Sequence, residues 1–410
     1  MLWLVCFFNY ADRQAIFSVF PKLESELGID KVKLGLIASA FMWVYAAGSP
    51  LAGYAGDRAR RKDLILGGCL FWSAVTSGTA FCSRAWQFVT VRAAEGMGEC
   101  FYFPASMSLI SDYHGPATRS RAMSLHQSGV YAGTIAGSWL AAYLAERWGW
   151  RVGFYFFGAA GLVVAAVLYG FLREPRRAGE ESIGNARAIS RRASRDTPEL
   201  LLANPASVML MLAFLGANFV ATIFLTWTPT FLVEKFGFRL TAAGLSGSIF
   251  IHLASAASVP VGGIVADALS RRFRGGRMLV QAAGLLIGSA FVFLVGTTGD
   301  KTVLLVAMTG FGLCKGLYDA NIFASLYDTV APRARATAAG IMNTVGWGGG
   351  AMGPLFVGWL ASHGRGATEM QNMSQAIAFS SLVYVAAAVF VVLAILVLPS
   401  SDVPLSKIER

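Results

Sequence analysis

The sequence predicts an all-α membrane protein with twelve transmembrane helices in two six-helix bundles. Three observations carry that prediction. Of 410 residues, 55% are hydrophobic and only 14% charged, against about 25% charged in a soluble domain, so polar surface is scarce. Apolar runs of about 20 residues, long enough to cross a bilayer as helices, recur from end to end. A polar stretch from Arg173 to Asn204 divides them six and six, and loop sequences of the first half return in the second. The expected organisation is an N-terminal bundle over 1–172, a linker over 173–204, a C-terminal bundle over 205–398 and a tail over 399–410.

The elements follow in order. Span 1 (1–20) has eleven residues ahead of Asp12 and reads as an abrupt or truncated start. Its MLWLVCFFNYADR lacks the basic start and small-residue cleavage site of a signal peptide. Span 2 (33–55) runs into GYAGDRARRK, spans 3 and 4 cover 63–82 and 86–110, and DYHGPATRSRA leads into span 5 (121–144) and span 6 (151–172). The stretch from Arg173 to Asn204 has no apolar period and reads as a linker. Spans 7 and 8 cover 206–233 and 241–266, after which GGIVADALSRRFRGGR echoes the loop behind span 2. Spans 9 and 10 (278–298 and 302–327) lead into YDTVAPRARA, the counterpart of the loop behind span 4, and spans 11 and 12 cover 336–360 and 375–398. Two parallel six-helix repeats are implied, with a central site between them.

The net charge of +11 is distributed by side rather than along one face. With a cytoplasmic N-terminus, 21 of the 34 Lys and Arg fall in loops and tail on that side, ten on the other and three within spans. This asymmetry places both termini in the cytoplasm and accounts for the basic pI through orientation and lipid headgroups, without a nucleic-acid partner. The five cysteines are scattered, with no CxxC or Cys/His cluster, so neither a disulfide framework nor a metal site is expected. His126 and His252 are lone histidines expected to pack or hydrogen-bond. No GxSxG, HExxH or GxxxxGK is present, so the chain is not expected to be an enzyme or to be driven by ATP, and no cofactor is implied.

The chemistry concentrates in spans 1 and 4. An ionisable group at the middle of a transmembrane helix costs about 2.5–3.5 kcal/mol on insertion scales, so it normally faces a cavity or a partner. Asp12 and Arg13 point about 100° apart and must find partners on other helices. Arg92 and Glu99, seven residues apart, lie about two turns apart on one face of span 4, with Glu95 within about 60° of it. Two arginines and up to three carboxylates are therefore expected to converge, offering a positive group to an anion and a carboxylate to trade a proton. Lys315 and Asp319, four apart in span 10, are expected to pair on one helix as a structural pair. Tyr10, Tyr45 and Gln127, with Asn343 and Trp347 of span 11, are further candidates for the cavity wall.

GYAGDRARRK resembles the loop signature of the major facilitator superfamily, and the likeness covers essentially the whole chain. The resemblance implies a major facilitator fold that works by alternating access. It also gives a gating role to Gly53, Asp57, Arg58 and Arg61, and to Asp267 and Arg271 in the second half. Within the superfamily, NYADR, RAAEGMGE and WGWRVGF are similar to anion:cation symporters of sugar acids and other carboxylates, and also to spinster-type transporters of lipids and amphiphiles. FLTWTPTFLVEKFGF leans to the symporters and YAAGSPLAGYAGDRARRK to the spinster type. Ser49 stands before Pro50 where the symporters carry a Gln. By this resemblance Glu99 is the principal proton-carrying group and Asp12 a second titrating or gating group. Arg13 and Arg92 bind the anion, and Glu95, in a usually apolar position, clamps Arg92. The expectation is a monomeric, proton-coupled symporter of a small organic anion in the cell inner membrane, with a spinster-like carrier of a lysolipid or other amphiphile as the alternative.

Overall fold

Apolar stretches with no sheet-forming alternation, interrupted by Gly, Pro and charged loops, fold in the computed structural model as helices throughout the described residues, which are 1–114, 116–173, 204–330 and 335–398. The linker beyond Arg173 and the tail therefore lie outside the described residues, as do the side chains of Gly53, Asp57 and Arg58. Among the described residues there are fifteen helices: α1 (Leu2–Ser18), α2 (Phe20–Leu27), α3 (Lys31–Arg58), α4 (Arg61–Thr79), α5 (Ala85–Glu99), α6 (Tyr102–Tyr113), α7 (Pro116–Trp148) and α8 (Trp150–Phe171), then α9 (Pro205–Phe236), α10 (Leu240–Ser270), α11 (Gly276–Thr297), α12 (Lys301–Asp319), α13 (Ile322–Thr329), α14 (Arg335–His363) and α15 (Glu369–Leu396). Joined in sequence, α1 with α2, α5 with α6 and α12 with α13 each make one crossing, which gives twelve.

Two details differ from the sequence reading. The first crossing continues past residue 20, because Pro21 sits in the first turn of α2, where its missing N–H costs nothing, and the helix ends only at Gly28, left-handed at φ 63°. Spans 4 and 10 are each two helices, broken at Cys100–Phe101 and Ala320–Asn321, directly after Glu99 and Asp319. Among the described residues seven spans, one of them α12 and α13 together, are apolar and long enough to cross a membrane. Others are too short alone, as α1 and α5 are, or diluted by Gly, Ser and Thr, as in α14.

The two halves of the chain meet where α3 packs on α14 and α7 on α10. These contacts gather at the end away from the linker, here called the distal end. Ser39 Oγ donates to Ala351 O (2.5 Å), and Ser138 Oγ donates to Gly244 O (2.7 Å). Gly35 lies against the backbone of Pro354, an approach that any side chain would prevent. Charge closes the same end. Lys31, 2% exposed, donates to Glu24 (2.8 and 2.9 Å) and to Glu234 of α9 (3.0 Å), with Glu369 of α15 at 3.7 Å. Glu146 of α7 accepts from Thr241 N (2.9 Å) and Oγ1 (2.5 Å) at the start of α10, and from Arg239 (2.9 Å). Those hydrogen bonds, the Thr241 hydroxyl first, hold the Glu146 carboxyl down to about 2. Toward the linker end the α3–α14 contact reaches Tyr45 against Trp347, with ring centroids 5.4 Å apart, while Gly340 faces open space. The cleft between the halves is thus closed at its distal end.

Candidate functional site

Arg13 sits on the wall of this cleft near its closed floor. It is 5% exposed, and its Nε and Nη2 both donate to Glu99 Oε2, at 2.9 and 2.5 Å. Asn9, one turn earlier on α1, accepts from Nη2 at 3.5 Å. Glu99 is the last residue of α5, so the break in span 4 falls next to the carboxylate that reaches α1. Aromatic rings enclose the guanidinium: its Cζ lies 4.6 Å from the ring centroids of Tyr10 and Phe41, 5.3 Å from Tyr45 and 5.8 Å from Trp347. Tyr10, Tyr45 and Trp347 are thereby brought together as the sequence reading expects, and Trp347 comes from the other half of the chain. Each such cation–ring contact contributes about 0.5–2 kcal/mol. The box therefore holds the cation without consuming its hydrogen-bond donors.

Arg92 is 1% exposed and pairs with Glu95 one turn away, whose other oxygen accepts from Thr76 Oγ1 at 3.3 Å. Its Cζ also lies 4.6 Å from the Phe41 centroid, so the two guanidinium carbons are separated by at most twice that distance. Phe41 is the residue that sequence reasoning missed; its i, i+4 spacing from Tyr45 on α3 was the available signal. Asp12 is 4% exposed. Asp12 Oδ1, Arg13 Nη1, and Arg92 Nε and Nη2 are buried with no hydrogen-bond partner among the described residues. Each such atom costs about 1–3 kcal/mol if left unsatisfied, and more when charged. A protein retains that cost where a ligand, a proton or hydration completes the site. Three carboxyls face two guanidiniums, so a single proton neutralises the cluster.

The remaining candidates are more dispersed. Gln127 is exposed on the face of α7 that also carries Tyr131 and Ser138, four and eleven residues on, which is the face turned toward α10. Asn343, half-buried, lies one turn from Trp347 on α14. His126 bonds the Tyr102 hydroxyl (2.8 Å), while His252 stands 6.2 Å from the Tyr131 ring. Lys315 and Asp319 are paired on α12. In the loops, Arg61 pairs with Asp112, whereas Asp267 is paired with Arg277 (2.9 Å), which also holds Asp328 (2.7 Å). Arg271 is exposed. Asp112, Arg277 and Asp328 were not singled out from sequence, although each lies in or beside an echoed loop. No group of His, Cys, Asp and Glu able to hold a metal ion occurs among the described residues.

Comparison with known proteins agrees with this architecture. The chain is 28% identical over 380 residues to "Probable anion transporter 4, chloroplastic" of Oryza sativa subsp. japonica, covering 88% of this chain and 64% of that protein. It is 27% identical to "Probable galactarate/D-glucarate transporter GudP" of Bacillus subtilis, covering 88% and 84%. It is 32% identical to "Protein spinster homolog 1" of Rattus norvegicus, covering 70% of this chain and 57% of the relative. The chain thus spans less than two thirds of the length of the rice and rat relatives. The crystal structure of a bacterial homolog of the human lysosomal transporter spinster, inward-facing and unoccupied, superposes with a TM-score of 0.82 over 97% of this chain and 96% of that one, at 20% identity. Its similarity bears on the fold alone. Residues 2–354 match the Major Facilitator Superfamily, and with twelve crossings around a cleft that holds a buried charge cluster, this chain is a multi-pass membrane transporter belonging to that superfamily.

Proposed function

We propose that the protein is a proton-coupled symporter of a small organic anion, a sugar acid or related carboxylate. The observation that carries this reading is the Arg13–Glu99 pair, buried in the cleft wall with one guanidinium nitrogen unpartnered and a ring from the opposite half, Trp347, against it. When Glu99 is ionised it holds Arg13. When Glu99 takes a proton the guanidinium is released to an anion, so proton and anion enter the site together. Protonation leaves the cluster neutral, the anion takes the place of the Glu99 charge beside Arg13, and rearrangement around the loaded site lets the distal contacts open. Asp12 is a second proton-carrying group. Arg92 adds positive potential from behind Phe41, with Glu95 as its clamp, and Tyr10, Tyr45, Gln127 and Asn343 orient the substrate.

In this reading residues 1–172 and 205–398 rock as two bundles about the cleft, and the linker with both termini faces the cytoplasm of an inner membrane. Gly53, Asp57, Arg58 and Arg61, with Asp267 and Arg271, steady the linker end during that motion. The galactarate/glucarate and anion transporters among the relatives support the substrate class. A lysolipid or other amphiphile is the second reading, favoured by the 32% identity to spinster homolog 1 and by the four rings that surround Arg13.

The deciding experiment records internal pH in proteoliposomes while sugar acids, simple carboxylates and lysolipids are added outside. A pH change tied to one acid supports the symport. Silence with every acid and movement of a lysolipid refutes it in favour of the amphiphile.

A further inference from the structure

The third and fourth crossings of each half repeat at one offset that sequence echoes alone do not reveal. Arg61 Nη1 pairs with Asp112 Oδ2, and Arg277 Nη1 with Asp328 Oδ2; the partners are 51 residues apart in both pairs. Arg61 and Arg277 are separated by 216 positions, as are Asp112 and Asp328, and as are Ala85 and Lys301, the first residues of α5 and α12. The same offset carries Glu99 onto Lys315. The crossing made by α5 and α6 covers 85–113 and that made by α12 and α13 covers 301–329, so each residue is the midpoint of its crossing. Repeat symmetry therefore sets a cation in the second half at the position where the first half has its central carboxylate.

The surroundings of Lys315 fit a cleft position. Its side chain is 20% exposed and that of its partner Asp319 32%, at the middle of a membrane crossing. Phe311, Lys315 and Asp319 follow at intervals of four and form one stripe on α12. A small cavity brings Phe311 and Lys315 together with Ser248 and His252 of α10 and with Gln14, the residue next to Arg13. Gln14 Nε2 in turn donates to Leu225 O of α9 (3.0 Å), so α1 is in contact with the second half one residue from Arg13. A pair four residues apart on one helix joins no two elements of the fold. The cost of two charges at mid-membrane thus brings no tertiary contact in return, unlike Arg13–Glu99, which joins α1 to α5.

We propose that Lys315, held ready by Asp319, is the second pole of the transport site and takes the far carboxylate of a dicarboxylate whose near carboxylate binds Arg13. Ser248, His252 and Gln14 lie beside Lys315 and offer hydrogen bonds to hydroxyls between the two ends. The cavity's other walls are apolar, among them Phe224, Leu225, Ile251 and Phe311, so Lys315 is the cation available there to a second carboxylate. This inference rests on the organic-anion reading above and narrows it from carboxylates in general to dianions.

The test compares D-glucarate with D-gluconate, which differ by one terminal carboxylate, in solute counterflow with the purified, reconstituted protein. Wild type is expected to prefer glucarate by at least tenfold in KM. Lys315→Gln should reduce that preference at least tenfold, and Lys315→Arg, which keeps the charge, should retain most of it. Size-exclusion profiles of both variants report folding independently. A structural role predicts that both acids lose transport together with their KM ratio unchanged. That result, or an unaltered preference in Lys315→Gln, overturns the proposal while leaving anion transport standing. If wild type moves neither acid, the organic-anion reading itself has failed.

Discussion

Replacing Glu99 by Gln tests the proton-carrying role most directly. In the wild type, Glu99 Oε2 accepts two hydrogen bonds from Arg13, at 2.9 and 2.5 Å, inside a site where both residues are buried. A hydrogen bond to a charged group is worth about 1.5–3 kcal/mol. Gln keeps an oxygen acceptor but not the charge, so the expected loss of hold on Arg13 is about the worth of one such bond. At 1.4 kcal/mol per factor of ten, an anion should reach Arg13 about tenfold to a hundredfold more easily in Glu99→Gln than in the ionised wild type. The assay has two parts. Calorimetric binding between pH 5.5 and 8.5 should weaken with rising pH in the wild type and do so less steeply in the variant, where Asp12 alone remains to titrate. Reconstituted Glu99→Gln should exchange substrate in counterflow but fail to accumulate it against its gradient under a proton gradient. Undiminished uphill uptake, or a variant affinity that follows the wild-type pH dependence, would refute the reasoning.

Two further outcomes are expected. Arg92→Ala leaves Glu95 buried without its partner, which costs about 3–5 kcal/mol in such settings. The variant should therefore unfold at markedly lower temperature, while Arg92→Gln/Glu95→Gln, which removes both charges, should recover most of the stability; no difference between them in a thermal melt would rule out the clamp. Glu146→Gln weakens the distal closure, and a cysteine in place of buried Ser18 should then alkylate about tenfold faster, by the loss of one charge-assisted bond. Because the Glu146 carboxyl is held down to about 2 in the closed state, its contribution is present above its ordinary value of 4.5 and is lost only as pH falls from there toward 2. The gap in alkylation rate between Glu146→Gln and the Ser18→Cys background should therefore stay constant from pH 8 to about 5, and a gap that closes by pH 6 contradicts the assignment.

What the sequence determined by itself follows from two fixed lengths. Bilayer thickness sets the number of apolar residues per crossing, and the helical repeat places Arg92 and Glu99 on one face. The twelve crossings, and the gathering of Asp12, Arg13, Arg92 and Glu99 about one cluster, were legible for that reason. The cost of an intramembrane charge marked those residues before any contact was known. The sequence could not choose between partners of equal charge. Spacing left Glu95 and Glu99 equally open to Arg13, and only the tertiary arrangement that brings the end of α5 within side-chain reach of α1 made the partner Glu99 and left Glu95 to Arg92. The break in span 4 was legible in Pro104, whose missing N–H and ring disrupt the turn at Cys100, whereas nothing as strong marks the break at Ala320 in span 10. Closure at the distal end likewise depends on Lys31 and Glu24 of the first half meeting Glu234 and Glu369 of the second. Local spacing is a property of one helix, whereas the identity of a partner across a cleft depends on how two helices are set against each other, and that was decided by tertiary structure alone.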